Sequence, residues 1–110
     1  MSPSLRKILA GIYARTSAGE IRLTAKASRE LAALGAGLDP EDVREVLLGL
    51  IARDFVGRHA SRTTREWMYV FKPQIGSETA YLKLILRDEC VIVSFHEDEG
   101  GGDEKHEGSN

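Results

Sequence analysis

The stretch "TAYLKLILRDECVIVSF", residues 79–95, alternates apolar and polar side chains and then becomes almost wholly apolar. Successive side chains of a β-strand leave on opposite faces, so the even-numbered residues 80–86 share one face while Tyr81 and Lys83 share the other. The pattern predicts two strands with one face in the core. The other face carries a phenol and an ammonium group about 7 Å apart along the strand, which makes it a candidate working surface.

Residues 66–73, "EWMYVFKP", show the same alternation and end at Pro73, which cannot continue a central strand. Only the short segments "QIGSE" and "DE" separate the predicted strands from one another. Short connections of this kind join antiparallel neighbours. We therefore predict an antiparallel meander in the C-terminal half of the chain.

Helical spacing of apolar residues fills the N-terminal half. Ser2 and Pro3 suit the start of a helix that runs to about residue 18, and Thr24 suits the N-cap of a second helix. Asp39 and Pro40 begin a third. Between the first two helices, "EIRLT" is short and extended. Helices first and strands last predict an α+β fold, in which N-terminal helices pack on a C-terminal twisted antiparallel sheet.

The composition, 42% hydrophobic and 29% charged over 110 residues, suits one globular domain, which we assign to residues 1–96. The single cysteine, Cys90, excludes an internal disulfide, and no Cys/His cluster has zinc spacing, so we expect no metal and no cofactor. No apolar run approaches the roughly 18 residues of a membrane span, and the N-terminus lacks the apolar core of a secretory signal. We expect a cytoplasmic protein that does not associate with a membrane.

Residues 97–110, "EDEGGGDEKHEGSN", hold six acidic residues, one lysine and no large apolar side chain. Such a segment cannot offset its ordering entropy by burial, so we predict an acidic disordered tail. Without it, residues 1–96 carry 14 Lys and Arg against 11 Asp and Glu, a net charge of +3. A mildly basic body is compatible with a phosphate-bearing partner.

A polar segment, "GRHASRTTRE" at residues 57–66, lies between the third helix and the first long strand. We predict a surface loop here, because the segment has no apolar side chain larger than alanine. Its guanidinium groups either serve only solvation or bind phosphate, which they grip in bidentate geometry. The residues of interest are Arg58, His59, Arg62 and Arg65.

These cations, combined with the polar face of the sheet, suit RNA cleavage that needs no metal. The 2′-hydroxyl attacks its own adjacent phosphate, so the protein supplies a base, a cation beside the developing charge and an acid at the leaving oxygen. Lys72, Tyr81 and Lys83 on neighbouring strands can share these roles with the arginines. The alternatives are that Tyr81 is a half-buried packing residue and that the lysines only keep an exposed face in water.

Several ordered landmarks resemble the MqsR family of type II toxins, the motility quorum-sensing regulators. They are "GEIRLT" at residues 19–24, "GLD" before the third helix, "DF" at 54–55, the Trp67 strand that ends in Pro73, and "YLK" followed by "VSF". The likeness covers roughly residues 5–96. It implies a fold similar to RelE-type ribonucleases, sequence-preferring cleavage of mRNA, and neutralisation by a helix-turn-helix antitoxin.

The resemblance also suggests roles for individual residues. Tyr81 coincides with the family's active-site tyrosine, Lys72 stands where the family has an arginine, and His96 stands at a family lysine. The family's "DFYKSM" becomes "DFVGRH" at residues 54–59, so its catalytic lysine is absent and Arg58 is the nearest cation; Met68 replaces a glutamine. The resulting hypothesis assigns catalysis to Tyr81, Arg58, Lys72 and His96, and RNA binding to Arg62, Arg65, Lys83 and His59.

Two other functions remain open on the sequence alone. One is a catalytically weakened RNA- or antitoxin-binding module of the same fold, because a lysine and a glutamine of the family are missing. The other is a plain protein-interaction domain whose basic segment docks on an acidic partner.

Overall fold

The computed structural model describes residues 3–34 and 37–99, which form three α-helices, a short 3₁₀ turn and six β-strands. The helices are α1 (Pro3–Ser17), α2 (Ala25–Ala33) and α3 (Pro40–Leu48), and Ala52–Asp54 form the 3₁₀ turn. The strands are β1 (Ile21–Leu23), β2 (Phe55–Ala60), β3 (Trp67–Phe71), β4 (Gln74–Ile75), β5 (Glu78–Leu86) and β6 (Cys90–Glu97). The α+β prediction is confirmed.

The sheet has the strand order β1-β6-β5-β3-β2, and the short β4 pairs with β5. Strand β3 pairs antiparallel with β5, and β5 pairs antiparallel with β6, as the meander prediction requires. The sheet as a whole is mixed, because β1 runs parallel to β6 and joins Ile21 to Cys90. The sequence indicated that β1 is extended but not which strand it pairs with.

The alternation in β5 sorts its side chains as predicted. Ala80, Leu82 and Leu84 belong to the apolar core beneath the helices, so this side of the sheet is called the helix-side face. We call the opposite side, which carries Tyr81 and Lys83, the outer face. The core also holds residues from all three helices, namely Leu9, Ile12, Ala27, Leu31, Val43 and Leu47.

Local capping explains where α2 and α3 begin. The Thr24 hydroxyl accepts a hydrogen bond from the Ala27 amide, and the Asp39 carboxylate accepts one from the Asp42 amide at 3.0 Å. Asp42 accepts a bond from the Asp39 amide in return, which completes a capping box. These bonds satisfy amides that the first turn of a helix leaves without intrahelical partners. The predicted starts of both helices are therefore confirmed.

The predicted loop at residues 57–66 is wrong in its first part. Residues 57–60 belong to β2, an edge strand antiparallel to β3, and only residues 61–66 form the connection. The register skips Val56 between the Phe55–Phe71 and Gly57–Val70 pairs, so Val56 is the extra residue of a β-bulge. The polar composition led to the loop prediction, although these residues form a strand at the edge of the sheet.

The far end of the sheet is tied by an ion pair between two turns. Arg87 donates to both carboxylate oxygens of Glu66, at 2.7 and 2.8 Å. This fork-like contact lowers the pKa of Glu66 to about 2, with a smaller contribution from Thr64. The β2–β3 and β5–β6 turns are thereby held together.

Strand β6 continues through Glu97, one residue past the boundary that we predicted for the tail. Asp98 then donates its amide to the Thr79 carbonyl at 2.8 Å. Residues 100–110, most of the predicted acidic tail, lie outside the described residues. Within residues 3–34 and 37–99, no helix has the length and apolar character needed to cross a membrane.

Candidate active site on the outer face

Four of the predicted site residues meet on the outer face, near the start of β5. Tyr81 is the cross-strand partner of His96, and their rings stack with centroids 4.9 Å apart and planes at 9°. Lys72 follows β3 one residue beyond the Phe71–Leu82 pair. It therefore lies beside Tyr81 on the same face, on the side of β5 that is opposite to β6. Lys72, Tyr81 and His96 thus form one row across three strands. Lys83 begins the next row, with its Nζ 5.8 Å from the Tyr81 ring.

A second β-bulge brings His96 onto this face. The register passes from Leu84–Ile92 to Lys83–Ser94, so Val93 is the extra residue in β6. Without it, His96 would share the face of Ile92, which belongs to the core. The bulge instead turns Ser94 and His96 outward and Phe95 inward.

Tyr81 is far more enclosed than a residue of an open surface, with only 3% of its surface exposed. It is not part of the helix-side core; the His96 ring and the Lys83 side chain lie against it instead. His96 and Lys83 are both partly exposed. The imidazole of His96 and the side chain of Lys83 are therefore more accessible on this face than the Tyr81 ring.

Lys72 is held by a partly buried ion pair at the edge of the row. Its Nζ lies 3.3 Å from the Asp98 carboxylate, and the two side chains are 14% and 13% exposed. Its amide donates to the Asp54 carbonyl at 2.7 Å. The ion pair fixes the position of the ammonium group at the end of the row.

Helix α2 contributes a network that the sequence analysis missed. Glu30 accepts a hydrogen bond from the Phe95 amide at 2.8 Å and pairs with Lys26 at 2.9 Å, and Lys26 donates to the Ser94 hydroxyl at 2.7 Å. Burial by itself raises the pKa of Glu30, but the bonds from Lys26 and Phe95 outweigh it and the pKa is lowered. In the sequence, Lys26 and Glu30 give only an ordinary i,i+4 helix pair. Nothing in that spacing indicates that they reach the sheet.

Arg58 does not join this site. It pairs with Tyr69, which packs against the helix-side core, and its guanidinium stacks over the Trp67 ring at 4.0 Å. Together with Leu5 and Ile8 of α1 it lines a small cavity on that side. The predicted grouping of Arg58 with Tyr81 is wrong, because the two residues lie on opposite faces of the sheet.

Arg62, Arg65 and His59 are not brought to Tyr81 either. Arg62 and Arg65 lie in the β2–β3 turn beside Arg87, and Arg87 is six residues from Tyr81, about 20 Å along β5. His59 shares the outer face but lies opposite Met68, four residues and about 13 Å from Lys72. Any RNA contact they make is remote from the row.

Gly57 lies on the outer face, at the position where the resemblance described above implies a family lysine. In the match of "DFVGRH" to "DFYKSM" the fourth letter is Gly57, and it lies opposite Val70, whose partner on β5 is Lys83. A Cβ added at Gly57 meets no heavy atom within 4 Å. The backbone at residue 57 therefore leaves room for a lysine side chain, although glycine stands there in this chain.

The acidic residues at the end of β6 do not form a metal group. Glu78 raises the pKa of Glu97 by charge repulsion and by a hydrogen bond, with lesser effects from burial and from Glu99. Across residues 3–34 and 37–99, no three His, Cys, Asp or Glu side chains converge on one position.

Cys90 is fully buried in the core, and burial raises the pKa of its thiol to about 12, against a small opposing effect of Arg15. An unfolded thiol ionises near pH ~8.5, so above that pH the unfolded chain loses a proton that the folded chain keeps. The free energy of unfolding is expected to fall by about 1.4 kcal/mol per pH unit from this group. Urea unfolding between pH 7.5 and 9.5 checks this: Cys90→Ala should show a shallower decline, and parallel curves would contradict it.

Comparison with known proteins identifies a class of toxins. The family model described as "Motility quorum-sensing regulator, toxin of MqsA" matches residues 6–97. The chain belongs to this family, as its sequence landmarks suggested. It is also 34% identical over 85 residues to the mRNA interferase toxin MqsR of Escherichia coli (strain K12), in a match that covers 74% of this chain and 82% of that protein.

Proposed function

We propose that this chain is the toxin of a type II toxin–antitoxin system and an endoribonuclease that cleaves mRNA on its outer face, in the cytoplasm. The observation that carries the proposal is the row of Lys72, Tyr81 and His96 across three strands, in a chain of this toxin family. The similarity to an mRNA interferase toxin supports mRNA as the substrate. The family description supports an antitoxin partner, for which we propose a helix-turn-helix protein.

The proposed reaction uses the substrate's own 2′-hydroxyl and requires no metal. His96 takes the proton from the 2′-oxygen, which then forms a bond to the adjacent phosphorus while the bond from phosphorus to the 5′-oxygen breaks. Lys72 and Lys83 stabilise the negative charge that builds on the phosphate oxygens. Tyr81 supports the imidazole from below and orients it. The 5′-oxygen takes up a proton from water and His96 returns its proton to the solvent, so the products are a 2′,3′-cyclic phosphate and a 5′-hydroxyl.

Lys83 replaces Arg58 in this mechanism for a geometric reason. Both residues are cations, but only Lys83 shares the outer face with Tyr81. Arginine is also too strongly protonated to act as a base, so we assign the role of proton acceptor to His96. We propose that preference for particular RNA sequences comes from contacts around this row.

A second candidate function is a weakened RNA- or antitoxin-binding protein of the same fold. Gly57 favours this alternative, because the resemblance implies a lysine at this position and glycine supplies no side chain. The two candidates differ only in whether bound RNA is cut.

Incubating the purified chain with mRNA in excess EDTA, and then mapping both new ends, tests the proposal. We expect cleavage at preferred sites with cyclic-phosphate and 5′-hydroxyl ends, and growth arrest on expression that the antitoxin relieves. Binding without cleavage would support the second candidate. Cleavage that EDTA abolishes would overturn the metal-free mechanism while leaving the nuclease assignment intact.

A further inference from the structure

Lys26 extends the cationic surface of the outer face from the sheet onto α2. Its ammonium reaches past the edge of β6 to the Ser94 hydroxyl, 2.7 Å away. Ser94 is the cross-strand partner of Lys83, so the same buried residue is bonded by a lysine of a helix and paired with a lysine of the neighbouring strand. Ser94 itself is only 3% exposed, whereas the side chains of Lys26 and Lys83 are accessible to solvent.

The charges of the Lys26–Glu30 pair are unequally exposed. The Lys26 side chain is 56% exposed and that of Glu30 only 23%. One Glu30 oxygen accepts from the Phe95 amide and the other contacts Lys26. An ammonium group has three donor hydrogens, and Ser94 and Glu30 account for two. The pair therefore presents a positive group to solvent and keeps its negative group against β6.

We propose that Lys26 binds a phosphate group of the RNA substrate, next to the phosphate that the Lys72–Tyr81–His96 row cleaves. The inference rests on the proposed function and adds to it a path for the RNA. Lys72 follows β3 and Lys26 lies beyond β6, so the RNA backbone crosses the strands and ends on α2. Phosphate contacts of this kind position a substrate without reading its sequence.

Binding of a 2′-O-methyl RNA oligonucleotide tests the proposal, because its blocked 2′-oxygen cannot attack. Fluorescence anisotropy at several salt concentrations gives the slope of log K against log salt. The magnitude of this slope is about 0.7 for each phosphate of a single strand that a protein cation neutralises. We expect Lys26→Met to lower the magnitude by about 0.7 and to weaken binding roughly two- to fivefold, for all sequences alike. Lys26→Arg should retain the wild-type slope.

Two control variants separate phosphate binding from a structural role. Lys7 is exposed on α1, which packs on the helix-side face, and Lys7→Met should leave the slope unchanged. Glu30→Gln removes the ion pair but keeps the Lys26 charge, so it should also bind like the wild type. A wild-type slope in Lys26→Met, or an equal reduction in Glu30→Gln, would overturn the proposal. Failure of the wild-type chain to bind any RNA would instead overturn the proposed function beneath it.

Discussion

Replacing His96 by alanine is expected to lower the rate of RNA cleavage by about 10²- to 10⁴-fold, the usual contribution of a general base. Imidazole is the side chain that ordinarily exchanges a proton between pH 5 and 8, whereas lysine ammonium groups stay protonated there. Among the described residues, the row on the outer face contains one imidazole, that of His96, which stacks directly on the Tyr81 ring. In the proposed mechanism, its loss removes the proton acceptor but leaves the cations that stabilise the phosphate.

Single-turnover cleavage of one mapped site, with RNA binding measured in parallel, checks this expectation. His59→Ala is the matched control, because His59 shares the outer face but lies opposite Met68, away from the row. His96→Lys, which restores the family's residue, should retain more activity than His96→Ala. Undiminished cleavage by a folded His96→Ala protein would remove His96 from the mechanism.

Replacing Gly57 by lysine is expected to raise the cleavage rate by about tenfold. Removing one optimally placed donor from an enzyme's anion site typically costs about 10²- to 10³-fold, and a lysine added without its original surroundings should recover part of that. Gly57 faces outward beside Val70, and an added Cβ has open space around it. The new ammonium would lie two strands from Lys83 on the same face, with Val70 of β3 between them.

Ala60→Lys provides the control for the added charge. Ala60 is exposed on the same strand, but its partner is Trp67, whose side chain belongs to the helix-side face of β3. A lysine there changes the net charge equally without facing the row. An equal gain in both variants would attribute the effect to nonspecific attraction of RNA, and no gain from Gly57→Lys would show that the position no longer belongs to the site.

The parts of the fold that depend on local chemistry could be predicted from the sequence. Asp39 and Pro40 mark the start of α3 because a cap and a fixed φ act within one helical turn. The alternation of residues 80–86 assigns both faces of β5 because a strand has a period of two. These features also predicted that Tyr81 and Lys83 share a face.

The errors concern distant partners and register. The parallel pairing of β1 with β6 joins residues about 70 positions apart, and nothing local in "EIRLT" specifies it. Arg58 was misplaced because residues 57–66 were predicted to be a loop; in the strand that forms instead, the bulge at Val56 turns Arg58 to the helix-side face. The bulge at Val93 acts in the same way on His96, which it brings to the site. Tertiary contacts decide where such bulges fall.

The pairing of β1 with β6 has a consequence for when the proposed nuclease site can form during synthesis. Strand β6, the last strand among the described residues, supplies both the partner of β1 and the histidine of the row, so a nascent chain that ends before residue 90 lacks both this pairing and the proposed nuclease site. Contacts between distant segments form late in folding. A toxin built in this order cannot attack the message that is encoding it until almost the entire chain has been translated.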